Sequence, residues 1–355
     1  MLWEYLKERI REHPDSMVGD EKECRSFATL LEETEEQAKT LPAGKIGLYC
    51  DREFHVAQGL LACLAAGAIA VPLSPRYGEG HCRKIIEGMD LTTFLTDRGG
   101  DGSLRLEVRG QEEPESEDLT DVALIMCTSG TTGQPKGAMI TKAGLQANLQ
   151  DIERYFQIGP GDRVLISRPL YHCAVLTGEF LISLVTGANI VLYDGEFNPL
   201  QVMKKAQRQH ITVMGGTPTF FYHLCMLAAR SPQPLALRSA VVSGECMTPA
   251  VARRMRAALP DTAIYNVYGL TEASPRVCYL PPDRFDGNPC SVGRALVSLE
   301  LRISDEDGGA LSPGEAGELL VRGPSLMKGY YRQPEQTARA LRDGWLHTGD
   351  IATMD

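Results

Sequence analysis

A run of ten residues carries most of the anion-binding chemistry that can be seen in this chain. Residues 128–137 read Thr-Ser-Gly-Thr-Thr-Gly-Gln-Pro-Lys-Gly, so they supply four hydroxyl groups, several glycines and the amine of Lys136. Glycines let backbone N–H groups approach an anion closely, hydroxyls donate to phosphate oxygens, and lysine adds positive charge. It is not a Walker A loop, because Lys136 follows a proline and precedes a glycine. The run predicts a phosphate-binding loop, and a flexible linker is the alternative.

The hydrophobic pattern predicts the elements that position this loop. Residues 122–126 form an apolar run that is typical of a buried strand leading into the loop. Residues 45–50, 54–66 and 68–73 read as strand, helix and strand. Such a βαβ unit indicates a parallel sheet that is covered on both faces.

Strand and helix signals alternate again between residues 163 and 258, and short β segments follow near 299–303 and 318–322. This order predicts an α/β fold with two doubly wound α/β subdomains and a small β-barrel-like subdomain. We place the subdomains at about residues 1–120, 121–285 and 286–355. Residues 1–11 alternate apolar and charged side chains and read as an amphipathic helix.

Composition excludes several classes of protein. The net charge of −10 argues against a nucleic-acid partner. The ten cysteines include no C-x-x-C pair, so we read them as reduced thiols in a cytoplasmic protein. The longest apolar run, residues 59–73, contains Gly67 and Pro72 and is too short for a membrane span.

Four further strings follow the loop in a fixed order. They are Tyr268-Gly269-Leu270-Thr271-Glu272-Ala273-Ser274, Gly314-Glu315-Ala316-Gly317-Glu318-Leu319, Gly329-Tyr330-Tyr331 and Gly344-Trp345-Leu346-His347-Thr348-Gly349-Asp350. Together with the loop they resemble the motifs of the adenylate-forming superfamily, which contains acyl- and aryl-CoA synthetases, peptide-synthetase adenylation domains and luciferases. The resemblance runs from about Phe27 to the last residue.

This resemblance implies a reaction. ATP and a carboxylic acid would give an acyl-adenylate and pyrophosphate with the help of Mg²⁺, and the acyl group would then pass to the thiol of CoA. Transfer to a carrier-protein phosphopantetheine, or a binding module without catalysis, are the alternatives. Residues 1–355 would form the AMP-binding N-terminal domain. The family's small C-terminal domain, with its catalytic lysine, has no counterpart here, so we expect little activity from this chain alone.

The resemblance also assigns roles to residues. Tyr268 offers a flat face to adenine, Asn266 meets the adenine amino group, and Asp350, at the end of an apparent β turn, accepts from both ribose hydroxyls. The candidate ATP-binding residues are Thr128, Ser129, Gly130, Thr131, Thr132, Gly133, Lys136, Gly244, Glu245, Cys246, Asn266, Tyr268, Gly269, Thr271 and Asp350. Thr131 and Glu272 are the candidate metal ligands, and Lys136, Thr271, Glu272 and His172 are the candidate catalytic residues.

Substrate choice depends on the segment around His172. Residues 168–174 resemble the P-L-x-H segment of acyl-CoA synthetases, in which the histidine gates the channel for carboxylate and thiol. The candidate substrate-binding residues are His172, Val175, Gly215, Gly216, Gly244 and Ser274. Relatives that activate α-amino acids keep an aspartate in this segment to pair with the ammonium group, and this chain has none there. We therefore expect a fatty or aryl acid with an uncharged tail.

Overall fold

A computed structural model of the chain describes residues 2–110, 115, 117–128, 135–195, 197–306 and 308–355. Ser129, Gly130, Thr131, Thr132 and Gly133 of the predicted phosphate loop lie outside the described residues, so their predicted roles remain predictions. The described helices are α1 Leu2–Glu12, α2 Phe27–Ala38, α3 Glu53–Ala66, α4 Glu79–Gly88, α5 Lys142–Tyr155, α6 Cys173–Val175, α7 Ile182–Thr186, α8 Pro199–Arg208, α9 Pro218–Ala228, α10 Pro249–Ala258 and α11 Pro334–Ala340. A π-helical segment, Leu176–Leu181, joins α6 to α7 in one continuous helix.

The first sheet has six strands and surrounds the βαβ unit expected from the sequence. Its strands are β3 Lys45–Leu48, β4 Ile69–Pro72, β5 Thr93–Thr96, β6 Arg105–Val108, β7 Val122–Thr128 and β8 Lys136–Thr141, in the spatial order β6-β5-β3-β4-β7-β8. The four inner strands are parallel, whereas β6 and β8 pair antiparallel at the edges. Helix α3 joins β3 to β4 and is buried on nearly all sides, as expected for a helix that is apolar all round.

The second sheet has nine strands. They are β1 Met17–Gly19, β2 Cys24–Ser26, β9 Arg163–Ile166, β10 Asn189–Leu192, β11 Val213–Gly216, β12 Ser239–Val242, β13 Ala263–Gly269, β14 Arg276–Leu280 and β15 Arg294–Ala295, in the order β15-β14-β13-β12-β11-β9-β10-β1-β2. Helices α8, α9 and α10 each begin with a capping Asn or Thr followed by proline. This pairing satisfies free backbone N–H groups and presets the first helical φ, so the three crossover helices begin at defined residues.

The third sheet is small and antiparallel. Its strands are β16 Glu300–Ser304, β17 Gly317–Arg322, β18 Leu341–Arg342 and β19 Trp345–Ala352, in the order β16-β17-β19-β18. Within the described ranges no ladder joins β16 to β18, so the small β subdomain expected from the sequence is present as an open four-stranded sheet.

The sheet boundaries also correct the predicted subdomains. Strands β7 and β8, at residues 122–141, complete the first sheet, although the sequence placed them in the second unit. Strands β1 and β2, at residues 17–26, belong instead to the second sheet, where β1 pairs parallel with β10. Long-range pairing decided both memberships, and a local pattern carries no information about it.

The hairpin of β1 and β2 also contacts the first unit. Asp20, in its turn, accepts from Arg52 Nη2 at 2.6 Å, and Glu23 forms an ion pair with the same guanidinium. Arg52 immediately precedes α3. The N-terminal hairpin therefore ties the second sheet to the start of the first unit's central helix. In the part of the chain that the structure describes, no helix is both long and apolar enough to cross a membrane.

Candidate nucleotide and acid site

The predicted phosphate loop leaves and re-enters the first sheet between paired residues. Thr128, the last residue of β7, lies opposite Lys136, the first of β8. The Gly329-Tyr330-Tyr331 string runs beside β8, because Met139 N donates to Gly329 O at 2.9 Å and Tyr331 N donates to Gly137 O at 2.8 Å. The third unit is thereby held against the base of the loop.

Lys136, Tyr330 and Glu272 form a chain of contacts at this base. Lys136 Nζ lies 5.1 Å from the centre of the Tyr330 ring, and the Tyr330 hydroxyl donates to Glu272 Oε1 at 2.7 Å. Burial, followed by the charge of Glu272, raises the pKa of Tyr330, so the phenol remains a donor at neutral pH. The structure therefore brings together two residues for which the sequence predicted catalytic roles, and it adds Tyr330 between them.

The donor set around Glu272 fits a magnesium ion bound together with ATP. Glu272 is half-buried, and no lysine, arginine or histidine of the described ranges pairs with it. Those ranges contain no cluster of three or more His, Cys, Asp or Glu that could hold a metal alone. Mg²⁺ commonly takes one or two carboxylates and completes its shell with water and substrate phosphates. A single free carboxylate beside a phosphate loop meets that requirement, and Thr131 stays a prediction.

Tyr268 and Asp350 meet at the other side of the site. The Tyr268 hydroxyl donates to Asp350 Oδ2 at 2.5 Å, and burial, with the neighbouring carboxylate, raises the pKa of Tyr268. Asp350 does not end a β turn, as the sequence suggested: it lies within β19, after Gly349 with φ of 75°. An irregularity in the β17–β19 register accompanies this glycine. The exposed carboxylate lies beside a half-buried aromatic ring, an arrangement suited to a ribose and its base.

The strand that carries Tyr268 turns sharply after Gly269. A Cβ at Gly269 would lie 2.1 Å from Pro275 O, so any side chain would displace the backbone of the turn. Thr271 and Glu272 form a short 3₁₀ turn between these residues. Asn266 is buried on the same strand, and its Nδ2 donates to Pro289 O at 3.2 Å and to Ser291 O at 2.8 Å. Its amide therefore holds a neighbouring loop.

The predicted loop after β12 is exposed at Gly244, Glu245 and Cys246. Gly244 has φ of 91°, a conformation that side chains disfavour. Glu245 Oε2 accepts from the Thr219 hydroxyl at 2.6 Å, at the start of α9. The loop and the helix thus support each other at the end of the sheet.

A cavity of about 420 Å³ lies where the three predicted motifs converge. We name it the inner cavity. Thr128 from the loop, Gly269 and Thr271 from the Tyr-Gly-Leu-Thr-Glu string, and His172 from the fourth segment all line it. Its remaining walls are the apolar or weakly polar residues Met126, Cys127, Cys173, Ala174, Leu270 and Pro275 and the polar aromatic residues Tyr77, His81 and Tyr171. The cavity therefore combines apolar and polar walls beside the start of the predicted phosphate loop.

A second cavity of about 590 Å³ lies on the far side of His172. We name it the outer cavity. Tyr77 and His172 line both cavities, and the Tyr77 hydroxyl lies 2.7 Å from His172 Nε2. Burial, and then the charge of Arg168, lowers the pKa of His172 to about 4, so the ring is neutral at pH 7. The other walls of the outer cavity are Arg76, Arg168, Pro169, Phe197, Thr217 and Phe220.

The carboxyl group of Glu53 contacts both chain segments that meet at the boundary between the two cavities. It is buried at the start of α3, its Oε2 accepts from Leu170 N at 2.9 Å, and Arg76 Nη2 lies 3.6 Å from its Oε1. Burial raises the pKa of Glu53 to about 7. One carboxylate therefore links the loops that carry Tyr77 and His172.

Several predicted substrate positions do not face open space. A Cβ at Gly215 would lie 2.3 Å from Glu179 Oε1, and one at Gly216 would lie 2.3 Å from the Phe220 ring. Val175 is fully buried, and the Ser274 hydroxyl donates to Ser325 O at 2.7 Å. The structure thus covers these four positions with protein atoms, whereas it opens His172 to both cavities.

Sequence reasoning assigned no role to Tyr330 and did not single out Tyr77. The Gly329-Tyr330-Tyr331 string was a usable signal for the first. Tyr77 belongs to the Pro-Arg-Tyr sequence after β4. Nothing local in that sequence could indicate its contact with His172, which lies 95 residues further along the chain.

Comparison with known proteins supplies the family. A model described as AMP-binding enzyme matches residues 6–331. The chain belongs to this AMP-binding enzyme family. The feruloyl-CoA synthase of an Amycolatopsis species is 32% identical over 312 residues, which are 83% of this chain and 63% of that protein. The long-chain-fatty-acid–CoA ligase of Salmonella typhimurium strain LT2 is 36% identical over 241 residues, or 66% of this chain and 42% of that protein.

The chain thus spans about two fifths to two thirds of the length of these curated family members. Solved structures share the fold. VinN is 24% identical with a TM-score of 0.85, and the match covers 100% of this chain and 96% of that one. The o-succinylbenzoate CoA synthetase of Bacillus subtilis, solved with ATP and a magnesium ion, is 24% identical with a TM-score of 0.83, covering 99% and 77%. These likenesses show that the chain shares the fold of these proteins.

Proposed function

We propose that this chain is the adenylate-forming part of an acid–thiol ligase. It binds Mg-ATP and a carboxylic acid, joins them as an acyl-adenylate with release of pyrophosphate, and passes the acyl group to the thiol of CoA. A cytoplasmic location, where ATP and CoA are both present, belongs to the same proposal. The meeting of the inner and outer cavities at the Tyr77–His172 contact carries it, because two substrates must reach one carbon atom from different sides.

The nucleotide-binding part of the proposal rests on polar side chains next to the residues that line the inner cavity. Asp350 accepts from the ribose hydroxyls, and the Tyr268 ring lies against the adenine. Lys136 and the residues of the phosphate loop hold the β- and γ-phosphates. Glu272 would hold Mg²⁺, which neutralises charge on the phosphates when it is bound. In-line attack then requires only that the acid be held beside the α-phosphate.

The proposed binding of the carboxylic acid is based on the apolar walls of the inner cavity. Cys173 and Ala174 stand where an α-amino acid would need a carboxylate partner for its ammonium group. The neutral ring of His172 cannot supply that charge. We therefore propose an organic acid without an α-amino group as the substrate.

The proposed binding of the thiol co-substrate is based on the outer cavity. Arg76 and Arg168 place two positive charges beside aromatic walls, which suits a thiol arm that ends in phosphate groups. CoA and carrier-protein phosphopantetheine share this chemistry. Rotation of Tyr77 or His172 would open the passage between the two cavities and let the thiol reach the acyl carbon.

A bisubstrate ligand tests the proposal. We expect a non-hydrolysable acyl-sulfamoyl adenosine to bind at least a hundredfold more tightly than AMP in titration calorimetry, since its two parts occupy one continuous site. An analogue that binds no better than AMP would show that the acid and nucleotide sites are not joined.

A variant of the predicted phosphate-binding lysine tests the nucleotide site. Lys136→Met should weaken the binding of Mg-ATP but not that of AMP. Lys142→Met is the matched control, because its amine contacts Thr120 O on the same hairpin, away from the cavity.

A further inference from the structure

Arg276 is a buried cation that pairs with no carboxylate of the described residues. It lies on β14 and is 4% exposed, and its Nη1 donates to the hydroxyl of Tyr155. Burying a charge without an opposite charge costs several kcal/mol. Arginine is almost never fully buried unless its charge is paired, and a bound anion is one way to supply the opposite charge.

The backbone around Arg276 belongs to the wall of the inner cavity. Arg276 lies opposite Gly269 in the β13–β14 ladder and directly follows Pro275, and both neighbours line the cavity. The chain neighbour Pro275 and the ladder partner Gly269 therefore place the Cα of Arg276 next to that wall.

The helix that forms one wall of the inner cavity also contacts Arg276. Cys173 and Ala174 line the cavity, and Thr177 and Gly178 follow one turn later on the same face. A Cβ at Gly178 would lie 2.5 Å from Arg276 Nη2, so the guanidinium rests on the bare backbone of this turn. The guanidinium thus closes the space one helical turn beyond the inner cavity.

The charges around this turn do not balance. Glu179, buried beside Gly178, pairs with Arg168, so the two cancel. Arg276 leaves one net positive charge. The fully buried hydroxyl of Thr177 and Glu179 Oε2 have no hydrogen-bond partner among the described residues. A ligand with one negative charge and further polar atoms would satisfy the guanidinium and the hydroxyl together.

We propose that Arg276 binds a second carboxylate at the far end of the acid, so that the enzyme selects dicarboxylic acids. This inference rests on the proposed function, because the first carboxylate is the one that is activated. It replaces the expectation of an uncharged tail. That expectation came from the missing aspartate near His172, which argues against an ammonium group but is silent about a second anion.

Matched ligands test this on the unmodified chain. Acyl-sulfamoyl adenosines are made from dicarboxylic acids of four to eight carbons, each with the far carboxylate free or converted to its primary amide. For at least one chain length we expect the free acid to bind at least tenfold more tightly in calorimetry, since a charge-assisted hydrogen bond is lost in the amide. Equal affinity at every length overturns the proposal. Binding of neither series would instead contradict the proposed function.

Two variants locate the effect. Arg276→Met should abolish the preference for the free acid. Arg294→Met is the control, because Arg294 also donates to a tyrosine hydroxyl, that of Tyr279, which stacks on Tyr155. Gly178→Ala should reduce the preference without removing a charge or weakening the helix, since the new methyl group displaces the guanidinium. A preference that survives both Arg276→Met and Gly178→Ala would place the second carboxylate elsewhere and refute the assignment.

Discussion

The nucleotide side and the acid side of the proposed site are built in different ways. On the nucleotide side, Asp350 is exposed, Tyr268 and Glu272 are half-buried, and each side chain is held by one protein partner. On the acid side, Thr177, Glu179 and Arg276 are buried, and glycine backbones are packed directly against them. The first side leaves its polar groups available to any nucleotide. The second fixes its charges in place and can therefore select one kind of acid.

The largest effect should come from the nucleotide side. Glu272→Gln removes the charge that binds Mg²⁺ while keeping an acceptor for Tyr330, so we expect Mg-ATP affinity to fall about a hundredfold. Calorimetry with and without Mg²⁺ measures it, and the magnesium-dependent part of the affinity should vanish. Glu335→Gln, on exposed α11, is the control. An unchanged magnesium dependence would remove Glu272 from the metal site.

Asp350→Ala should have the next largest effect. Loss of a charged acceptor for the ribose hydroxyls should cost about 1.5–3 kcal/mol of AMP binding. A comparison of AMP with 2′,3′-dideoxy-AMP makes this test more specific. The Asp350→Ala variant should bind the two nucleotides with equal affinity, because it has lost the acceptor for the ribose hydroxyls. Tyr268→Phe, which keeps the ring and loses only the contact with Asp350, should cost less. If wild type does not distinguish the two nucleotides, Asp350 is not the ribose acceptor.

At the boundary between the cavities the expected effect is smaller. Tyr77→Phe removes the hydrogen bond to His172 and should change the transfer of a preformed acyl-adenylate to CoA by up to about tenfold, the value of one neutral hydrogen bond. Adenylate formation should be unaffected. The two half-reactions are measured separately, in a protein that carries the family's small C-terminal domain. An equal change in both would show that Tyr77 supports the whole site and does not separate the two substrates.

The last effect concerns the pH dependence of stability, and it has opposite signs at two neighbouring groups. The pKa of His172 falls from 6.5 to about 4 on folding, so the unfolded chain binds the proton more readily between these values and acidification is destabilising. The pKa of Glu53 rises from 4.5 to about 7, so raising the pH through that window is destabilising. His172→Gln should reduce the dependence of the free energy of unfolding on pH between about pH 4 and 6.5. Glu53→Gln should reduce the same dependence between about pH 4.5 and 7.

Urea unfolding at several pH values measures both dependences. His223→Gln, on the exposed side of α9, is the control and should leave them unchanged. A His172→Gln variant that loses as much stability between pH 6.5 and pH 4 as wild type would show that this histidine is not buried in its neutral form.

The sequence predicted what depends on neighbouring residues. The strand before the loop, helix α3 and the βαβ unit all follow from local pattern, and their predictions are confirmed. The motif strings pointed to Lys136, Tyr268, Glu272 and Asp350 because each string is continuous in the chain, and the binding roles of these residues remain predictions. The fold family followed from the order of those strings.

Contacts between distant segments could not be predicted in the same way. Tyr330 reaches Glu272 from 58 residues away, and Tyr77 reaches His172 from 95. Arg276 looks in the sequence like any arginine on an exposed strand, and only packing shows that it is buried and that no carboxylate of the described residues pairs with it. Gly215 and Gly216 were predicted to bind the acid, and packing alone shows that Glu179 and Phe220 lie directly against them.

The pairing of β1 with β10 has a consequence for synthesis on the ribosome. Val18 finds its ladder partner only at Ile190, about 170 residues later. At about 5–20 residues per second, the hairpin waits roughly 10–35 s for that strand to be made. During this time it exposes an unpaired strand edge, on which other chains can assemble. Charged side chains are one means by which proteins discourage such pairing, and Asp20 and Glu23 place two negative charges in the turn of this hairpin.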